Sequence, residues 1–451
     1  MGKSDVVGLV AELSPGSVEV CDPDTCPNAF GVVVDDALIA LRKWGHSVVT
    51  QYGKHTELNI DALFLSVFAP VRRVFRATRA EGRATRIYVC LFDKASMVTV
   101  AKQPEQAKRD ATGSRTDASK AHHPGKIADP AGVTWPAHAW RENVSDRSSR
   151  QEVIRLLCRH AESVMPEWLS DCEDQDYVVV LDYEGASGEP CIKTIVGPAV
   201  SGFDADEACT SFTNSLGEFD VSSLHYLYSD VVRRHCEGTQ GVLIRSIDSD
   251  MLPIMMLNTL PGRCDDIDVR VQLSIKSVPH LISPSVVALW AHELLARPTL
   301  ADSVNDFVTL YILSGSDFAP GVPGVGNRAF VLGFLTRPRG ITPADYIQSV
   351  VSSDFVLPNR FAEPRCGLGV RLPGLKRASK NVVAQRAEAR TEEHVKRAAW
   401  CLSYWSHSAY EPTKMLVTPL GHGFDIVGGK VVLAEDIRGP KAATKRIKLC
   451  E

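Results

Sequence analysis

The sequence predicts an α/β fold with a mainly parallel central sheet flanked by helices, and three observations predict it. Short runs rich in β-branched residues recur along the chain: GVVVD (31 to 35), RIYVCLFD (86 to 93), DYVVVLD (176 to 182), GVLIRSID (241 to 248) and TLYILSGSD (309 to 317). Stretches of helical periodicity separate them, as expected of parallel strands joined by crossovers. Asp35, Asp93, Asp248 and Asp317 close four of these runs. Ligands of open α/β sheets gather beyond the carboxyl ends of the strands, so the four carboxylates are expected at one crevice.

At 451 residues the chain is long for one domain, and a main domain over 1–335 with a C-terminal extension over 336–451 is the expected division. A composition of 44% hydrophobic and 23% charged residues excludes disordered and collagenous classes. The N-terminus MGKSDVVGLVAELSPGSV lacks the basic region and continuous apolar core of a signal peptide, and no run reaches the roughly 20 apolar residues of a membrane span. No membrane partner is expected. The 12 cysteines include no CxxC pair, the closest being Cys21 and Cys26, so free thiols in a reducing compartment are expected rather than zinc. A net charge of -4 argues against a uniformly basic coat for nucleic acid and leaves room for a local basic channel.

Between Ala101 and Arg150 the periodicity gives way to a Pro-, Gly-, Ser- and Ala-rich insertion. Residues 358–390 form a second irregular stretch, carrying Arg365, Arg371, Lys376, Arg377, Lys380, Arg386 and Arg390. Lys376 and Arg377 are its candidates for contact with nucleic-acid phosphates. Thr391, followed by Glu392 and Glu393, reads as the start of an amphipathic helix. Trp135, Trp140, Trp400 and Trp405 read as core or loop anchors. The tail over 440–449 clusters Lys441, Lys445, Arg446 and Lys448, a pattern read as a nuclear import signal.

The stretch VLIRSIDSDMLPIMML sets Asp248 and Asp250 between two apolar runs. Buried like charges are costly unless something of opposite sign joins them, and a divalent cation would do so. Glu218 and Asp220 repeat the i, i+2 spacing, which on extended backbone puts both carboxylates on one face. With Asp35, Asp93 and Asp317 they make seven oxygen-donor side chains, a set suited to two hard cations, Mg2+ or Mn2+. Two such ions suit in-line hydrolysis of a phosphodiester. In LSGSDFAPGVPGVGNRAFVLGFL, Gly321, Gly324 and Gly326 permit close approach of backbone to a phosphate, and a helix opening at Asn327 and Arg328 would aim free N–H groups at it.

In this order the segments resemble the flap endonuclease or XPG-like 5′ nuclease family. MGKSDVVGLVAELSPGSV resembles the family's N-terminus, GVVVDDALIAL its first aspartate strand and RIYVCLFDKASMV its second. GEFD resembles its Glu-x-Glu element, SIDSD its Asp-x-Asp element and LSGSDFAPGVPGVGNRA its last aspartate. The resemblance spans roughly residues 1 to 335. It implies a PIN-like fold, a helical arch over 101–150, a helix-two-turn-helix over 313–335, and Gly2 near the active site. Lys102 and Arg109 are seven apart, like the family's basic pair at the base of the arch, which implies contact with the scissile phosphate. Three features depart from the family. Asp220 stands for a glutamate, Leu41 stands where an aromatic usually follows the first aspartate, and no sliding-clamp-binding peptide is present near the C-terminus. These fit a divergent relative, viral or parasite, better than a cellular replication enzyme.

The expectation is therefore a divalent-metal-dependent 5′ nuclease acting on flapped or branched DNA. An RNA-directed nuclease of the same fold and a non-catalytic nucleic-acid-binding scaffold are the alternatives. Metals and phosphates look alike in DNA and RNA enzymes. A mere binder has reason to lose carboxylates that repel phosphate.

Overall fold

A computed structural model describes residues 4–52, 57–76, 86–97, 134–136, 140–172, 177–198, 200, 203–214, 216–235, 241–261, 267–316, 319, 321–336, 340–352, 355–356, 361–365, 371–373, 376–387, 391–407, 418–427 and 430–433. In chain order, the strands of the main sheet and of a small companion pair are β1 (Val18–Val20), β2 (Val32–Asp36), β3 (Glu57–Asn59), β4 (Arg86–Leu91), β5 (Thr134–Pro136), β6 (Tyr177–Glu184), β7 (Pro190–Val196), β8 (Val242–Arg245), β9 (Val269–Ile275) and β10 (Val278–Ile282). Eight of them form one sheet in the order β1-β10-β9-β8-β2-β4-β6-β7. From β9 to β6 every pairing is parallel; β10, β1 and β7 add antiparallel edges. The fold is thus α/β on a mixed, mostly parallel central sheet flanked by helices.

Continuous Val, Ile and Leu runs have no polar side to turn to water, which is why the parallel strands lie between two helical layers. Alternation along each strand divides the side chains. Val32 and Val34 enter one core with the helices Ser4–Leu13, Met251–Asn258 and Leu300–Ser314. Val33, Tyr88 and Cys90 enter the other with Ala37–Tyr52, Ile60–Arg76 and Arg147–Trp168.

One expected strand is a helix. Residues 309–314 of that run lie in Leu300–Ser314, whose N-cap Thr299 accepts a hydrogen bond from Asp302 N–H. Val308, Leu310, Ile312 and Leu313 are all fully buried, and an apolar segment buried on every side carries no periodicity to separate helix from strand.

The expected division at 335 does not coincide with a break in the core. Trp400 and Trp405, from the helix Thr391–His407, join the first core, and Asn258 Nδ2 donates to Trp405 O at 3.0 Å. Trp135 and Trp140 are buried in the second. In the basic stretch, Arg371–Pro373 pairs with Phe361–Arg365 and Lys376–Arg377 with Phe355–Val356. Arg386 is buried and donates through Nε and Nη2 to Pro323 O, so it clamps the 321–326 loop rather than facing solvent. Among the described residues no helix is long and apolar enough to cross a membrane. Most of the insertion and the basic tail lie outside the described residues.

Beyond β4, Lys94 is fully buried with its ammonium 2.8 Å from Asp182 Oδ1 at the end of β6, and Tyr226 donates to Asp182 Oδ2 at 2.8 Å. Removing one partner of such a pair strands the other charge. Lys94→Met is expected to destabilise the fold by about 3–5 kcal/mol and Tyr226→Phe by about 1–3 kcal/mol. Urea unfolding monitored by circular dichroism checks this; a Lys94→Met midpoint equal to wild type would show that Asp182 is neutral in the fold.

Candidate functional site

At the end of β2, Asp35 and Asp36 point to opposite faces of the sheet, because successive strand side chains alternate. Asp35 accepts from the Tyr88 hydroxyl at 2.6 Å and from Arg245 Nη1 at 2.8 Å, and Arg245 Nη1 also donates to Tyr88 Oη at 2.9 Å. Burial opposes the charge of Arg245, yet Asp35 and Tyr88 hold its guanidinium above the ordinary value. Asp35 therefore makes an ion pair on the face of the sheet that carries Tyr88 and Leu243.

Asp36 takes the other direction. Its Oδ1 is buried and has no hydrogen-bond partner. Burial, then the charges of Asp93, Asp35 and Asp248, raise its carboxyl well above the usual range, with Arg42 opposing. Asp36, at the carboxyl end of β2, thus feels the charges of Asp93 and Asp248 from beyond the ends of β4 and β8, together with that of Asp35.

The remaining acids are fixed by short local bonds. Phe219 N–H donates to Asp93 Oδ1 at 3.2 Å, and Lys94 N–H donates to Gly217 O at 2.7 Å, which seats the Glu218 segment against the turn after β4. Glu218 is the N-cap residue of the helix Phe219–Leu227, with Asp220 in its first turn; both are buried. After β8, Asp248 N–H donates to Ser246 Oγ at 3.0 Å and Asp250 N–H to Asp248 Oδ1 at 3.0 Å, a turn in which side chains replace the ladder. Asp250 is fully buried and accepts from the Tyr311 hydroxyl at 2.7 Å. Asp317, Lys102, Arg109 and Gly2 lie outside the described residues, as does the side chain of Lys376; Arg377 is exposed.

The glycine loop is shaped by its own backbone. A Cβ on Gly321 would lie 2.6 Å from Ser314 O, and Gly324 has φ +73°. Gly326 is the N-cap of the helix Asn327–Leu335. Asn327 Nδ2 donates to Gly315 O at 3.1 Å, and Arg328 pairs with Glu12 of the first helix, so both side chains serve the packing of this loop and helix.

Two cations that the sequence reading did not single out stand beside the carboxylates. Arg42 is exposed on Ala37–Tyr52 and acts on Asp36. Arg150, in the first turns of Arg147–Trp168, has its Nε buried without a partner. Burial lowers its pKa, Asp93 opposes this, and Arg42 and Arg147 repel it. Gln151 Nε2 donates to Asp93 O at 2.9 Å, docking that helix start on the site. Leu41, expected at the aromatic position, is fully buried; Arg42 is the residue beside it that reaches the surface.

Could these residues hold a metal? The donor set is all hard oxygen, and Asp36 offers an orphaned buried oxygen amid like charges, which fits Mg2+ or Mn2+ chemistry. Among the described residues no three His, Cys, Asp or Glu side chains are already gathered as a metal cluster. No protein-family model matches the chain, and no curated protein matches it in sequence.

Each pKa unit by which a carboxyl is raised on folding costs about 1.4 kcal/mol when the group is ionised. Asp36→Asn is therefore expected to stabilise the fold at neutral pH in EDTA. A melting temperature unchanged or lowered in this variant would show that Asp36 is not strained by its neighbours.

Proposed function

We propose that the protein is a divalent-metal-dependent nuclease of the PIN-like, flap endonuclease type, hydrolysing phosphodiester bonds with flapped or branched DNA as the favoured substrate. The observation that carries this reading is the Asp36, Asp93 and Asp248 cluster at the carboxyl ends of three adjacent parallel strands, with an unpartnered buried oxygen on Asp36. Acids crowded in this way destabilise a protein unless they are kept for a positive ligand.

Asp36, Asp93, Glu218, Asp220, Asp248 and Asp250 would hold the ions, joined by Asp317. Bound there, Mg2+ or Mn2+ would supply Lewis-acid stabilisation for an in-line displacement at phosphorus. Tyr311 and the Phe219 amide orient two of the acids, so little reorganisation is needed when substrate arrives. Arg150 would meet the scissile phosphate, its Nε still free to donate, in the role first expected of Lys102 and Arg109. Arg42, beside it, offers a flat cation that can stack on a base where the family has an aromatic. Gly321, Gly324, Gly326 and the start of the helix at Asn327 would lie along the duplex backbone, with Lys376 and Arg377 nearby in sequence as further phosphate contacts.

End-labelled 5′-flap DNA, plain duplex and single-stranded RNA of matched sequence, each with magnesium, manganese or EDTA, test the reading. Metal-dependent cutting at the flap junction is expected, and is abolished by Asp36→Asn, Asp248→Ala or Asp317→Ala. Preferential RNA cleavage would transfer the site to an RNA-directed nuclease, and binding without cutting under every metal would leave a scaffold. Arg150→Ala is expected to lower turnover by about 100-fold at saturating metal, as loss of a transition-state donor does. Unchanged turnover would remove Arg150 from the reaction.

A further inference from the structure

We infer that Arg245 is a positioning residue: by pairing with Asp35 and Tyr88 on the face away from the carboxylate cluster, it sets the spacing between Asp36 and Asp248. The inference rests on the metal-dependent reading above.

The pairing register supplies the geometry. Asp35 stands directly opposite Arg245 across β2 and β8, and Arg245 directly opposite Gln272 across β8 and β9. Side chains join each of these steps. Arg245 Nη1 reaches Asp35 Oδ2 at 2.8 Å and Arg245 Nε reaches Gln272 Oε1 at 2.8 Å, while Tyr88 on β4 ties back to Asp35 at 2.6 Å. Four adjacent strands are thus stapled to one another, at the carboxyl ends of β2 and β8 and midway along β4 and β9. The residue after Asp35 is Asp36, and the residue after Arg245 is Ser246, whose N–H donates to Gln272 O at 3.1 Å and whose Oγ accepts from Asp248 N–H. Each carboxylate is therefore one to three residues from a stapled position.

Stability alone is a poor reason for such a pair. Both side chains are mostly buried, 17% and 14% exposed, and a buried ion pair often does no better than an apolar replacement. Its register is another matter: a slip of one residue in β2 would exchange Asp35 for Asp36 and turn the wrong carboxylate toward the site. The pair also holds the guanidinium against Asp35, one of the charges that act on Asp36.

The test measures Mn2+ binding by electron paramagnetic resonance, without substrate, and the Mg2+ dependence of flap DNA cleavage. It uses the full chain as wild type, Arg245→Lys, Arg245→Met, Asp35→Asn and the Asp35→Asn, Arg245→Met double variant. Arg245→Met is expected to weaken metal binding by about 10-fold or more while saturating Mg2+ restores most of the turnover, the effect of losing an outer-shell support. Arg245→Lys should recover part of the affinity. The double variant should be no weaker than the worse single, because the two residues act as one unit.

Wild-type metal affinity in Arg245→Met, with only the melting temperature lowered, would reduce the pair to a structural role and overturn the inference. Loss of turnover at saturating Mg2+ in Asp35→Asn but not in Arg245→Met would overturn it in favour of Asp35 as a direct ligand. If Arg245→Met fails to fold, Arg245→Lys and Asp35→Asn decide by the same two readouts. A wild type that binds Mn2+ but cleaves nothing would defeat the nuclease reading and leave the positioning test intact; a wild type that binds no Mn2+ defeats both.

Discussion

Everything at the carboxyl edge of the sheet depends on the two-residue period of β2. Two adjacent aspartates there cannot face the same way. One is captured by Arg245 and Tyr88 and becomes part of the fold, and the other is delivered to the opposite face among like charges. The ion pair and the acidic cluster are two sides of one constraint. The order β9-β8-β2-β4-β6 then brings the turns after β4 and β8 to either side of Asp36.

Such a cluster needs support to stay intact. Asp93 is met by a helix-start amide, Asp248 by the amide of Asp250, and Asp250 by a buried tyrosine on the helix that leads to Asp317. These donors fix the orientation of the three side chains. Asp36 keeps a buried oxygen with no donor, and burial among like charges raises its carboxyl. Strain of this kind, borne by a core of two well-filled layers, marks places where function outweighs stability.

The parallel sheet was legible because its strands are continuous apolar runs ending in aspartate; Glu218 and Asp220, expected on extended backbone, stand instead at the N-cap and in the first turn of a helix. The run 309–317 was not legible, because burial on all sides erases the difference between the strand and helix periods. Which face each aspartate of β2 takes was not legible for a related reason: the sequence DD states that a carboxylate ends β2 but not which face is which. A signal was present elsewhere. Arg245 interrupts an otherwise apolar strand, and a guanidinium in that setting requires a buried acid on a neighbouring strand. The register supplies Asp35 for it. Arg42 and Arg150 carried no motif at all; they are recognised only through what they face in space.

Those two arginines change where positive charge comes from. A cation in a long insertion must pay the entropy of ordering its loop before it can stabilise anything. Arg42 and Arg150 lie instead on helices already locked together: Trp140 Nε1 donates to Leu41 O at 3.3 Å, and Trp44 and Trp140 meet edge to face at 5.0 Å. The short β3–β5 pair brings Trp135 against Trp140, their ring centres 6.0 Å apart. Tryptophans thus pin the last residues of the insertion to the helix that follows β2, which holds Arg42 and the start of the Arg150 helix in a fixed relation to Asp36 and Asp93. Arg42 and Arg150 therefore rest on rigid elements beside the acidic ends of β2 and β4.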